Sequence, residues 1–242
     1  MEIIVPKIKP LLVKKKIPLG VPLEDIRNGL VLDFDFMELS GSKTIDQSEQ
    51  ENHGTINGAS RVNGLGSGRA LSFDGTDDYV RVADDESLSA KTFIVWFKSD
   101  KWVSSGGYSP TILNKYTDDD NMFRIAFNET AGGRIAVSVM VEGTEVGRHG
   151  TGGVSLNVWH HLVVVFTSPV KIYLDGIDIT STDSCTWSRY AVTNNLYIGQ
   201  RGGGGGLFDG LIGEVRLYNR VLSAAEIRQM YYYSLYKCDM IC

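Results

Sequence analysis

From Gly29 onward the chain falls into short apolar runs separated by turn residues, and that punctuation restricts it to an all-β fold. The runs are GLVLDFDF (29–36), ALSFDG (70–75), YVRVA (79–83), TFIVWFKS (92–99), MFRIAFN (122–128) and RIAVSVMVE (134–142). WHHLVVVFT (159–167), VKIYLDG (170–176), NLYIGQ (195–200) and LIGEVRLY (211–218) complete the series. Several alternate with period two, and β-branched or aromatic residues dominate them. Asp175-Gly176 is a two-residue hairpin signal, because such turns need positive φ at their centre. Ten or more short strands with few helices predict two packed antiparallel sheets. One helix is predicted, SAAEIRQMYYY (223–233). Ser223 and Glu226 have capping-box spacing, and Ile227, Met230 and Tyr231 share one face, expected to pack on the sandwich edge.

The 27 glycines against 6 prolines suit many tight turns. No run of about 18 apolar residues occurs, which excludes a membrane-spanning helix. A net charge of −5 argues against general nucleic-acid binding. That charge is uneven. Residues 1–20 carry Lys7, Lys9, Lys14, Lys15 and Lys16 against Glu2, a net of +4, which leaves −9 on the other 222. Pro6, Pro10, Pro18 and Pro22 oppose helix there, so residues 1–28 read as an extended basic arm. The arm cannot bury its own Ile, Val and Leu side chains and needs the domain or a partner to cover them. The expected division is arm 1–28, sandwich 29–233 and tail 234–242. The lysines follow rather than precede the first apolar residues, unlike a secretory signal. Cys185, Cys238 and Cys242 are too few for a disulfide scaffold and read as thiols of a chain made in the cytoplasm.

Five segments in order resemble the laminin-G-like, concanavalin A-like lectin/glucanase superfamily. They are GLVLDFDF, the polar loop NHGTINGA (52–59), GRALSFDGTDDYVRVADDESLS (68–89), NVWHHLVVVFTSPVKIYLDG (157–176) and LYIGQRGGGGGLFDGLIGEVRLYNRVLSAAEIRQMY (196–231). The resemblance implies a jelly-roll sandwich of two curved antiparallel sheets. It also implies that the WHH stretch is structural, with Trp159 buried. Strand geometry adds that His160 and His161 point to opposite faces and cannot serve one site.

Glycosidases on this fold use paired carboxylates at alternate positions of one strand. Asp33 and Asp35 have that spacing but fall in the opening strand, so no catalytic residue is assigned. The run 202–206 (GGGGG) lacks the helix and the GK[ST] ending of a phosphate loop and reads as a flexible rim loop. No cofactor is required. Calcium is considered at Asp120 and Asn121, which match the Asp-Asn pair before a strand in pentraxins. Arg201 and glycines stand where the second acidic run of those proteins would be, and Gly213 replaces an Asp common in relatives. Asp74, Asp77 and Asp78 read as turn-shaping residues. Trp102, Tyr108, Tyr116, Trp187 and Tyr190 are the candidates for stacking on sugar or filling a protein interface.

Three functions follow, in order of preference. The first is a non-enzymatic adhesion module, tethered by the five arm lysines to protein partners in a larger assembly such as a virion surface, and oligomeric in that context. The second is a free glycan-binding lectin, with or without calcium. The third is a glycoside hydrolase. None involves nucleic acid or a membrane span.

Overall fold

The computed structural model describes residues 26–66, 68–83, 90–104, 109–118, 121–128, 133–141, 144–182 and 195–239. The strands are Leu30–Phe34 (β1), Lys43–Thr44 (β2), Gly54–Asn57 (β3), Ser60–Asn63 (β4), Arg69–Asp74 (β5), Tyr79–Val82 (β6), Thr92–Ser99 (β7) and Thr111–Asp118 (β8). They continue as Asn121–Asn128 (β9), Arg134–Val141 (β10), Thr144–Gly153 (β11), His160–Val165 (β12), Lys171–Leu174 (β13), Ile177–Asp178 (β14), Leu196–Ile198 (β15) and Asp209–Tyr218 (β16). One helix, Ala224–Asp239 (α1), follows them.

Two antiparallel eight-stranded sheets result. The first runs β14-β13-β12-β7-β16-β5-β4, with β1 also on β16. The second runs β11-β10-β9-β8-β15-β6-β3-β2. The ten-residue β16 is the spine of the first sheet. Along one edge it pairs with β7; along the other, Asp209–Ile212 pairs with β5 and Val215–Tyr218 with β1.

Period two explains the core. In β9, Phe123, Ile125 and Phe127 point inward, as do Ile135 and Val137 of β10 and Phe93, Val95 and Phe97 of β7. Rings interlock between the sheets: Phe93 meets Phe123 at 4.9 Å, and Phe97 meets Phe127 at 5.8 Å. A second cluster lies on the outer face of the first sheet. There Ile94, Val163, Val165 and Tyr218 are covered by Ile227 and Met230 of α1.

The helix differs from expectation in two ways. It lies across a sheet face rather than on the sandwich edge, because β7 and β12 are apolar on both sides and need covering. It also runs on to Asp239, through most of the expected tail. The Ser223–Glu226 capping box forms, with both the Ser223 amide and hydroxyl donating to Glu226 Oε2 at 2.7 Å. Trp159 is half-buried, not buried; it precedes β12 and lies over Gly213 of β16, where a Cβ would stand 3.4 Å from the Trp159 Cζ3. Among the described residues the buried tryptophan is Trp96, stacked on Tyr231 of α1 at 5.8 Å.

Candidate functional site

The outer faces of the two sheets differ in what they offer a ligand. Beneath α1, on the first sheet, is a cavity of about 210 Å3 lined by residues including Leu30, Asp33, Arg216, Tyr218 and Met230. That is below the ~300 Å3 at which small-molecule pockets begin. Its charges are internally balanced. Asp33 Oδ1 accepts from Arg216 Nε at 3.0 Å, and Glu214 accepts from the same guanidinium. Burial opposes the Arg216 charge, yet Glu214 and Asp33 hold its pKa above the ordinary value. Asp35 lies outside this network, its Oδ1 accepting from the Met37 amide at 3.0 Å. The two carboxylates are thus engaged separately, one in an ion pair and one in a turn.

The second sheet is built differently. In β6, Val80 and Val82 enter the core, so Tyr79 and Arg81 face out. In β15, Leu196 and Ile198 enter the core, so Tyr197 faces out. Register places Tyr197 directly opposite Arg81 on one side and Asn114 on the other. Tyr79 and Tyr197 form an aromatic pair with centroids 6.0 Å apart, and both are half-buried. Arg81 is exposed, and its Nη2 donates to Asn195 Oδ1 at 3.2 Å. Asn114 accepts from the Gly202 amide at 2.7 Å, which brings the glycine-rich loop onto this sheet. The loop rests on Tyr116: a Cβ at Gly202 would stand 2.5 Å from the Tyr116 Cβ. Hydrogen bonds from Gly204 N to Arg201 O and from Thr111 N to Gly206 O hold it, so it is a docked turn rather than the flexible loop expected.

Tyr116 therefore borders this face, half-buried beneath glycines. Trp102 is exposed at the other end of the sheet, its Nε1 donating to Val154 O at 2.9 Å beside Gly133. Tyr116 pairs with Met122, whereas Gly133 adjoins the Arg134–Asn128 pair. Six strand residues, roughly 20 Å, separate those positions, so Trp102 and Tyr116 do not form one platform. Tyr108, Trp187, Tyr190, Asp120 and the five arm lysines lie outside the described residues, and Asn121 is described only as the first residue of β9.

Asp74, Asp77 and Asp78 have carboxylate oxygens within 4.8 Å of one another, close enough to share a cation. Asp78 Oδ2 already accepts the Asp74 amide at 2.9 Å and Asp74 Oδ1 the Thr76 amide at 2.8 Å. Two of the three carboxylates are thus engaged, the three together fall short of the six to eight oxygens a calcium shell wants, and the geometry is that of a turn held by its own aspartates. His160 and His161 do face opposite ways. His160 Nδ1 meets Asp175 Oδ2 at 2.8 Å beside Phe97, while His161 lies under α1 against Trp96. They clamp a hairpin and support a helix.

Comparison with known proteins fits this architecture. A laminin-G family model of the concanavalin A-like lectin/glucanases superfamily matches residues 74–228, so the chain belongs to that family. Comparison with curated proteins gives no match. Among solved structures, domain 4 of AbnA, a GH43 extracellular arabinanase from Geobacillus stearothermophilus in complex with arabinotriose, superposes with a TM-score of 0.64 at 17% identity. That match covers 84% of this chain and 98% of that one. Botulinum neurotoxin type C, whose cell entry depends on two ganglioside molecules, gives 0.65 at 14% identity over 88% of this chain and 53% of that one. Trypanosoma rangeli sialidase gives 0.59 at 17% identity over 83% and 32%. At such identities the likeness is one of fold. No described helix is long and apolar enough to cross a membrane.

Proposed function

We propose that this chain is a non-enzymatic carbohydrate-binding module that takes its glycan on the outer face of the second sheet. The observation that carries the reading is the Tyr79–Tyr197 pair beside the exposed Arg81. A sugar ring has an apolar C–H face that stacks on tyrosine and hydroxyls that pair with planar donors, and this face offers both. The alternative face is closed by α1, and its cavity is too small for an oligosaccharide. Family membership and the sugar-bearing arabinanase domain support the same reading. Hydrolysis by the one carboxylate pair with alternate spacing is disfavoured, because Asp33 is held by Arg216 and Asp35 by a turn, so the two do not cooperate as acid and base. No metal is needed, so binding should persist in EDTA. A glycan panel followed by calorimetry on the best ligand tests the assignment. Tyr197→Ala should weaken binding about tenfold. Unchanged affinity would move the site elsewhere.

A second reading concerns where the module works, and one placement favours it. Ile26, the first described residue, packs into the cluster under α1. The arm therefore joins the sandwich on the side away from Tyr79 and Tyr197. Attachment on one side and recognition on the other suits an adhesive subunit of a larger assembly, of which a virion surface is one case. Sedimentation of the native source would find the chain with large particles at fixed stoichiometry. A free species of tens of kilodaltons would remove this reading.

A further inference from the structure

We propose that the glycan bound by this face is anionic, a saccharide whose carboxylate or sulfate is received by Arg81 beside Tyr197. The inference rests on the carbohydrate-binding reading and adds the ligand class. It starts from register. Lys43 lies opposite Thr55, Thr55 opposite Arg81, Arg81 opposite Tyr197, Tyr197 opposite Asn114, and Asn114 opposite Arg124. Residues directly across antiparallel strands share a face, so these side chains form one row, and its accessible part runs over β2, β3, β6 and β15, because Asn114 is fully buried beneath the glycine-rich loop. That accessible part holds two cations, Lys43 and Arg81, and no carboxylate.

That composition runs against the rest of the domain. Residues 21–242 carry a net charge of −9, and several other described cations pair with carboxylates. Arg61 pairs with Glu38, Arg216 with Asp33, Arg220 with Glu226, and Lys101 with Asp209. Arg81 instead donates to the neutral Asn195 amide oxygen, and among the described residues it has no ion pair. Its exposed guanidinium keeps a planar fork that matches a carboxylate or sulfate in two parallel hydrogen bonds. The tyrosine directly opposite gives the sugar ring a surface while the acid group reaches the fork. At strand spacings of about 4.8 Å, Lys43 and Arg81 stand roughly 10 Å apart and Lys43 and Tyr197 roughly 14 Å apart. The row thus spans an oligosaccharide rather than one sugar.

The test is calorimetry of the full chain with a matched set: lactose, 3′-sialyllactose, 3′-sulfolactose and trigalacturonate. The expected result is that at least one acidic probe binds about 10- to 100-fold more tightly than lactose, an advantage that shrinks in high salt. Comparing the sialylated and sulfated probes tells carboxylate from sulfate. Arg81→Gln should erase the preference without changing the melting temperature, since Arg81 is exposed; Lys43→Gln should lower it by a smaller factor. If lactose and the acidic probes bind equally and Tyr197→Ala weakens all of them, the anion inference is overturned and the glycan face stands. An acidic preference that Arg81→Gln and Lys43→Gln both leave intact overturns the assignment to this row. Binding to none of the four, and to nothing on a wider neutral panel, overturns the inference and the function together.

Discussion

His161 stands on the outer face of β12, with the Trp96 ring at 5.0 Å and the Tyr231 ring at 5.8 Å. Burial beneath α1 pushes its pKa down to about 3; Asp175 opposes that shift and Arg216 adds to it. The unfolded chain therefore binds a proton near pH 6.5 that the folded chain refuses until far lower. Stability from this residue is complete above about pH 6.5 and falls as the pH drops toward 3, by at most about 1.4 kcal/mol per pH unit. Denaturant melts at pH 7, 6, 5 and 4 should show that slope, and His161→Phe should flatten it. A variant with the unchanged slope would assign the acid sensitivity to other groups. Gly210 gives a steric counterpart. Its φ is +138°, and a Cβ there would run into the Lys98 carbonyl and stand 3.0 Å from the Ser99 Cα. Since β7 cannot retreat without breaking its pairing with β16, Gly210→Ala should cost about 2–4 kcal/mol, read from the denaturation midpoint.

At the scale of elements, α1 is held at its start and along its length. The capping box and the Arg220–Glu226 ion pair at 2.7 Å fix the first turn, so Ser223→Ala should cost about 1 kcal/mol in chemical denaturation. Ile227, fully buried on the sheet, should cost roughly 2–4 kcal/mol as alanine. The helix and its cap were legible because local spacing encodes both. Its resting place was legible too, in a signal easily passed over: TFIVWF and HLVVV are continuous apolar runs, and a strand apolar on both sides needs a layer on each. Strands rich in β-branched and aromatic residues announced themselves. β11 did not, because TEVGRHGTGG carries charges and four glycines and forms on the strength of its pairing with β10. The candidate site was the least legible part. Aromatics were sought in loops, where Trp102 and Tyr116 turned out to lie far apart. The outward Tyr79, Arg81 and Tyr197 could be read one strand at a time from alternation. Their meeting depends on β6 and β15 being neighbours, which is a property of long-range topology.

The molecule as a whole has a closed side and an open side. α1 and the entry of the chain at Ile26 occupy the outer face of the first sheet, and the row from Lys43 to Tyr197 occupies the outer face of the second. Both described hydrophobic clusters are assembled from Ile26 onward. Removing residues 1–22 should leave the melting temperature within a few degrees and the glycan affinity within twofold. On the proposal that the arm tethers the chain to a larger assembly, it should also abolish co-sedimentation with large particles, because it deletes Lys7, Lys9, Lys14, Lys15 and Lys16 together with the apolar residues between them. Stable docking through such an arm requires burial of about 1,000 Å2, which an extended segment threaded across neighbouring subunits can supply. The decisive comparison is co-sedimentation of full-length and truncated chains, with melting and glycan binding measured on the same samples. Loss of sedimentation alone assigns the arm to tethering. Loss of all three would mean that the arm belongs to the sandwich, and a truncated chain that still sediments would place the attachment on the sandwich itself.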